Sequence, residues 1–201
     1  MSFVSWIGFP LFGYLMGSLP FALWVTRILK GVDVRDGGSG HVTSTNTIRQ
    51  AGWLPGILVL LLDISKGFVP TYLAAVSGSP TFVVVLTAAL TVVGHCWPIF
   101  AQFRGGMGLA VTAGSYLAVE PIAFVLGTAV LIALVLIIRH SARASFFAAF
   151  AIPIAMWILG MRDTILFIAI GTGIIVAIRF TIDWNREYRE LWLDRDKESA
   201  G

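Results

Sequence analysis

Two glycine-rich polar stretches carry the residues of this chain best suited to chemistry. The first reads Gly37-Gly38-Ser39-Gly40-His41-Val42-Thr43-Ser44-Thr45-Asn46-Thr47-Ile48-Arg49. The second reads Gly94-His95-Cys96-Trp97-Pro98-Ile99-Phe100-Ala101-Gln102-Phe103-Arg104-Gly105-Gly106-Met107-Gly108. Glycines allow successive backbone N–H groups to converge on an anion, and hydroxyls and a guanidinium add further donors. Arg49 has the geometry to grip a phosphate through two parallel hydrogen bonds while keeping its charge. Ser39, between Gly38 and Gly40, fits a phosphate cradle. Blander readings stand beside these: Arg49 as a marker of membrane sidedness, and Ser39, Thr45 and Asn46 as loop-capping residues. His95 either caps a helix end or acts in catalysis, and His41 competes for the same role.

Outside the loops, Asp63 and Lys66 stand three residues apart in an apolar run and so share one helix face. Charges in such a segment are expensive. They pair with one another or line a cavity. Both alternatives remain open at this level.

The elements around these stretches are those of a membrane protein. The chain has 201 residues, 57% hydrophobic and 12% charged, with a formal net charge of +3. Soluble domains carry about 25% charged residues. Polarity this dense among lipid-embedded helices requires a cavity or a ligand, because the bilayer core satisfies no backbone group. A phosphate-bearing ligand at a membrane surface is the first expectation. The chain reads as an all-α polytopic bundle forming a single domain over residues 1–201, with the lipid bilayer as its medium. Its single cysteine, Cys96, excludes an internal disulfide and a multi-cysteine metal site. Three histidines without a carboxylate cluster make no metal centre, and no cofactor is expected. No basic stripe alternates with exposed aromatics, so nucleic acid is not expected as a partner. No obligate protein partner is evident either.

Apolar runs cover residues 3–26, 53–77, 81–100, 109–138, 145–160 and 164–180. The first lacks a basic region before it, which predicts an anchor inserted N-terminus outward. Segment 109–138 is about 45 Å long as one helix, against a hydrocarbon core of roughly 30 Å. Glu120-Pro121 interrupts it. A single crossing gives six spans and puts Arg139 and Arg143 outside. A turn at Glu120-Pro121 gives about seven and returns both to the side of Arg27, Lys30, Arg35, Arg49 and Arg104, leaving Arg162 as the outer arginine. The positive-inside rule favours seven spans, the N-terminus outside and both polar stretches and the C-terminus in the cytoplasm. Trp184, Tyr188 and Trp192 in the tail 183–201 form one helical stripe, expected to lie along the membrane interface.

Several chemistries have no signature here. There is no G-x-x-x-x-G-K-[ST] phosphate loop and no G-x-S-x-G nucleophile elbow. No histidine is followed by aspartate five positions later, which removes the pattern of the common soluble-type glycerolipid acyltransferases.

The ordered motifs resemble those of the bacterial acyl-phosphate:glycerol-3-phosphate acyltransferases. Gly17-Ser18-Leu19-Pro20-Phe21 is similar to a segment of that family's first span. Gly31-Val32-Asp33-Val34-Arg35, Gly38-Ser39-Gly40 and Thr45-Asn46 with Arg49 resemble its first loop. Asp63-Ile64-Ser65-Lys66-Gly67 matches a D-x-x-K-G signature, and Gly94 to Gly108 resembles the next. The resemblance implies a seven-span bundle with its N-terminus outside, in the bacterial plasma membrane. It implies transfer of an acyl group from acyl phosphate to the 1-hydroxyl of glycerol 3-phosphate, giving lysophosphatidic acid and inorganic phosphate in phospholipid synthesis. No acyl-enzyme is implied, so Cys96 needs no nucleophilic role. Ser39 and Arg49 would hold phosphate and orient the glycerol. Thr45, Asn46 and Lys66 would complete the pocket, with Gly38, Gly40, Gly105, Gly106 and Gly108 as the cradle. His95 joins Ser39 and Arg49 as a catalytic candidate.

The chain departs from the family pattern at three places. Met107 stands where a lysine is expected, His41 where the loop has asparagine, and Thr181 where the last span has asparagine. Arg104 is the nearby candidate to replace the missing lysine. Two alternatives therefore accompany the acyltransferase: an impaired paralogue that binds phosphorylated lipid precursors, and a small membrane transporter.

Overall fold

A computed structural model describes residues 3–185. Its helices are α1 (Phe3–Gly17), α2 (Phe21–Lys30), α3 (Ser44–Ala51), α4 (Trp53–Val76), α5 (Thr81–Cys96), α6 (Leu109–Val119), α7 (Pro121–Ile138), α8 (Ser141–Ile158) and α9 (Asp163–Ile182). Short 3-10 turns occupy Val34–Asp36 and Ile99–Ala101. Among the described residues, six segments are long and apolar enough to cross a membrane. The protein is an all-helical, polytopic membrane bundle.

The first apolar run, expected as one span, is broken. Pro20 has no N–H to donate, and its ring biases Leu19 away from helical backbone. The chain therefore leaves α1 at Gly17 and re-enters helix at Phe21. The two pieces together, Ser5–Lys30, still have the length and apolarity of a span.

The run 109–138 also divides, at the expected place. Glu120 is extended (φ −148°, ψ 100°), and its carboxylate accepts from the backbone N–H of Ile122. Pro121 then opens α7, where a missing N–H does no harm. A Cβ placed on Gly127 of α7 would lie 3.2 Å from the Tyr116 ring of α6. In one straight helix these residues would be about 16 Å apart. The chain has turned back on itself. At the far end of α7, the Arg143 guanidinium lies 5.6 Å from the Trp184 ring centroid, just beyond α9. The α7–α8 turn thus shares an end of the bundle with the C-terminus of α9, while Arg162 lies at the opposite end of that helix. The 11 residues of α6 reach only about 16 Å, so this helix does not cross a bilayer core unaided.

Helices in lipid associate through close packing rather than hydrophobic burial, and small residues allow it. Gly67 of α4 rests directly on the backbone of Val111 in α6, leaving no room for a Cβ. The hydroxyls of Thr71, Thr87, Thr91 and Thr172 each donate to the carbonyl one turn earlier, at 2.7–2.8 Å. These interior polar groups are satisfied within their own helices, as a bilayer requires. Outward faces carry exposed Leu, Ile and Phe, suited to lipid. Trp184 packs on Phe146 and Phe147 at 5.1 and 6.0 Å. The other members of the expected tail stripe, Tyr188 and Trp192, lie outside the described residues.

Candidate active site

The first glycine loop is wound around Asn46. Thr43, three residues earlier, caps α3 by accepting from the Asn46 N–H at 3.2 Å, which fixes where the asparagine side chain emerges. Asn46 Nδ2 donates to the carbonyls of Val34 (2.7 Å), Gly37 (3.2 Å) and His41 (3.0 Å). Its Oδ1 accepts from the Ser39 N–H at 3.0 Å. One turn on, Gln50 Nε2 donates to Val34 and Gly37 again. Gly38 has φ +56°, and any Cβ there would collide with Asn46 Oδ1. Only glycine fits that point.

Asp33 ties the same loop to the second one. Its carboxylate takes hydrogen bonds from Arg35 (2.7 and 2.9 Å) and from Arg27 (2.7 Å). The Arg35 side chain holds the Asp33 carboxyl well below the usual carboxylate range. The same contact pushes the Arg35 guanidinium upward. Arg35 Nη1 also donates to Ala101 O at 3.2 Å.

The loops then bond backbone to backbone. Val42 N of the first loop donates to Gly105 O of the second at 3.3 Å, and within the second loop Gly106 N donates to His95 O at 3.0 Å. Gly106 sits against the His95 ring, where a Cβ would collide with Nε2 and lie 2.7 Å from Val42 O. Between the loops opens a cavity of about 260 Å³, lined by Gly40, His41, Cys96, Trp97, Phe103, Arg104, Gly105 and Arg179.

The structure brings together some of the sequence-predicted residues and separates others. Gly40, Arg104 and Gly105 line the cavity, and Gly106 and Gly108 are buried behind it. Ser39 is buried, with its Oγ accepting from His41 N at 3.4 Å. Arg49 lies over the first loop, its Cδ 3.4 Å from where a Cβ on Gly38 would be. Thr45 is exposed, its Oγ1 3.2 Å from that of Thr43. Asn46 is wholly enclosed and engaged with backbone on every side. Lys66 joins a separate buried network, with Nζ 2.9 Å from Asp63 Oδ1 and 2.9 Å from Leu19 O. The Leu19 carbonyl is available there because the helix breaks at Pro20. His95 lies between the two groups, its Nδ1 3.8 Å from Asp63 Oδ1. Met107 does not line the cavity; it is buried in an apolar cluster that includes Val92, Cys96, Val111, Val176 and Phe180.

Arg179, which lines the cavity, and Asp183, which contacts the cavity residue His41, were not picked out as site residues from the sequence. Arg179 is 9% exposed and donates through Nε to Gly106 O at 3.0 Å. Asp183 is buried, its Oδ2 3.0 Å from His41 Nε2. Arg179 lies within the last apolar run, so the cost of a charge in a span, applied to Asp63 and Lys66, flags it equally. For Asp183 the sequence holds no such signal, because it stands at the start of a strongly charged tail.

A cavity lined by Arg104 and Arg179 and bounded by two glycine loops, within an apolar helical bundle, defines the class: an integral-membrane helical protein with a cationic polar pocket. Comparison with known proteins makes this specific. The family model described as Glycerol-3-phosphate acyltransferase matches residues 7–189. Glycerol-3-phosphate acyltransferase 2 of Moorella thermoacetica is 40% identical over 148 residues, 74% of this chain and 76% of the relative. The glycerol-3-phosphate acyltransferase of Aquifex aeolicus is 36% identical over 177 residues, 88% and 92% of the two chains. Crystal structures of PlsY (YgiH), an integral membrane glycerol 3-phosphate acyltransferase, in its glycerol 3-phosphate and lysophosphatidic acid forms, superpose with TM-scores of 0.81 and 0.80. They are 34% and 33% identical to this chain, and in each case 90% of this chain and 91% of the other are covered. This chain belongs to the glycerol-3-phosphate acyltransferase family.

Proposed function

We propose that this protein transfers an acyl group from acyl phosphate to the 1-hydroxyl of glycerol 3-phosphate. The hydroxyl oxygen attacks the carbonyl carbon of the mixed anhydride, and the bond between that carbon and the phosphate oxygen breaks. The products are lysophosphatidic acid and inorganic phosphate, and the hydroxyl proton is balanced by the departing phosphate. Cys96 takes no part.

The observation that carries this reading is the junction of the two glycine loops around a cation-lined cavity. Both substrates bear phosphate, and one brings a fatty chain suited to the exposed apolar faces. The donor is already activated, so positioning and stabilisation of the departing anion supply most of the rate. Ser39 and Arg49 hold and orient phosphate at the first loop, with His95 and the glycines of the second loop on the other side. Asn46 keeps the first loop in shape, and Lys66 with Asp63 fixes α4 against the break between α1 and α2. We place the N-terminus outside and the cavity on the cytoplasmic side, where phosphorylated metabolites are found. The clustering of Arg35, Arg104, Arg143 and Arg179 at one end supports that orientation.

The test is phosphate release by purified protein in detergent or lipid, using palmitoyl phosphate with and without glycerol 3-phosphate. Release that requires the acceptor is expected, with lysophosphatidic acid formed in equal amount. Release indifferent to the acceptor, or none, would mark a phospholipid-precursor-binding paralogue instead.

A further inference from the structure

We infer that Arg179 is an anion-binding residue of this cavity and takes a substrate phosphate directly. The inference builds on the functional reading above but stands on its own geometry. An arginine carries five N–H donors in a planar fork. Nε is spent on Gly106 O at 3.0 Å, which fixes the plane of the guanidinium against the second glycine loop. Both terminal amino groups lack a protein acceptor among the described residues and are not sealed from the cavity that Arg179 lines. A side chain nine-tenths buried with a charged fork left open is costly unless a ligand completes it.

The surroundings keep that charge available. Asp183, four residues on, is the acid placed to neutralise Arg179, yet the two form no ion pair. Its Oδ2 is instead 3.0 Å from His41 Nε2. The second loop offers no competing cation from below, because Met107 is packed in the apolar cluster. Arg104 faces the same cavity from an exposed position, so it is hydrated where Arg179 is not. A planar fork with two open amino groups matches the tetrahedral oxygens of a phosphate monoester or an acyl phosphate. The chemistry recognised is thus a phosphate group, belonging either to glycerol 3-phosphate or to the acyl donor.

Two measurements on the full-length protein test this. In the first, orthophosphate is titrated at constant ionic strength while thermal unfolding is followed. Wild type should be protected, Arg179→Gln should lose the protection, and Arg179→Lys should keep part of it. In the second, KM is measured separately for each substrate. Loss of one charge-assisted contact should raise the KM of one phosphorylated substrate on the order of 10- to 100-fold in Arg179→Gln. A rise confined to glycerol 3-phosphate assigns Arg179 to the acceptor, and a rise confined to acyl phosphate assigns it to the donor. Equal protection of wild type and Arg179→Gln with both KM values unchanged overturns the inference while leaving the acyltransferase reading intact. Phosphate protection lost in Arg179→Gln, in a protein that transfers no acyl group, sustains it and overturns that reading. Should Arg179→Gln fail to fold, Arg179→Lys carries the test: it keeps the charge without the fork, so unchanged phosphate affinity and KM would refute the role.

Discussion

Asn46→Ala separates a scaffold from a ligand. The side chain makes four hydrogen-bond contacts: the two N–H groups of Nδ2 are shared among the Val34, Gly37 and His41 carbonyls, and Oδ1 accepts from Ser39 N. At a net of about 0.5–1.5 kcal/mol per bond, their loss amounts to roughly 2–6 kcal/mol. Substitutes reduce that figure. Gln50 also serves Val34 O and Gly37 O, and Thr43 N also serves His41 O. Ser39 N is left with no partner and carries the desolvation cost of an orphaned donor. The lower half of the range, about 2–4 kcal/mol, is therefore expected. For a chain of this size that corresponds to a fall in Tm of roughly 5–15 °C. The assay is thermal unfolding of the ligand-free protein in detergent, followed by intrinsic tryptophan fluorescence. Activity should fall as well, because Ser39 and His41 lose their fixed positions. An Asn46→Ala protein that melts within a degree of wild type without substrate, and differs only in a raised KM, would refute this. It would make Asn46 a substrate ligand, as the sequence motif implies.

Two further outcomes follow from the geometry. Reading the motif alone, a lysine at position 107 should add a useful cation. Within the fold it enters the cluster of Val92, Cys96, Val111 and Val176, so Met107→Lys should lower Tm and leave kcat no higher than wild type. Faster acyl transfer by that variant would show the side chain reaching the cavity. For Asp33 the sign is that of a depressed carboxyl: its stabilisation is present above the ordinary carboxylate pKa and is lost only as pH falls through the lower folded value. The Tm gap between wild type and Asp33→Asn should thus hold constant from pH 7 to about 5 and narrow only in stronger acid. A gap that closes near pH 6 would contradict the assignment.

The bundle was legible in the chain because lipid imposes a simple rule: long apolar runs, punctuated by charge, glycine and proline. The turn at Glu120-Pro121 followed from charge placement along the chain, and the return of Arg143 to the α9 end bears it out. The break at Leu19-Pro20 was missed, although Pro20 was in plain view, because hydropathy runs straight across it. The two loops were found as sequences since glycine and hydroxyl residues have few other uses among lipid-facing helices.

What the order of residues determined by itself was composition-driven: a helical membrane protein, its segments, and the motifs that associate it with one family. Which polar groups face the cavity was decided only by tertiary contacts. Asn46 spends its hydrogen bonds on backbone from residues 34 to 41, and Met107 is buried in an apolar cluster. Arg179, more than seventy residues from Gly106, meets its carbonyl at 3.0 Å. Side-chain direction depends on which helices pack together. That packing is set by close approaches such as Gly67 on Val111, which periodicity along one strand of sequence does not encode.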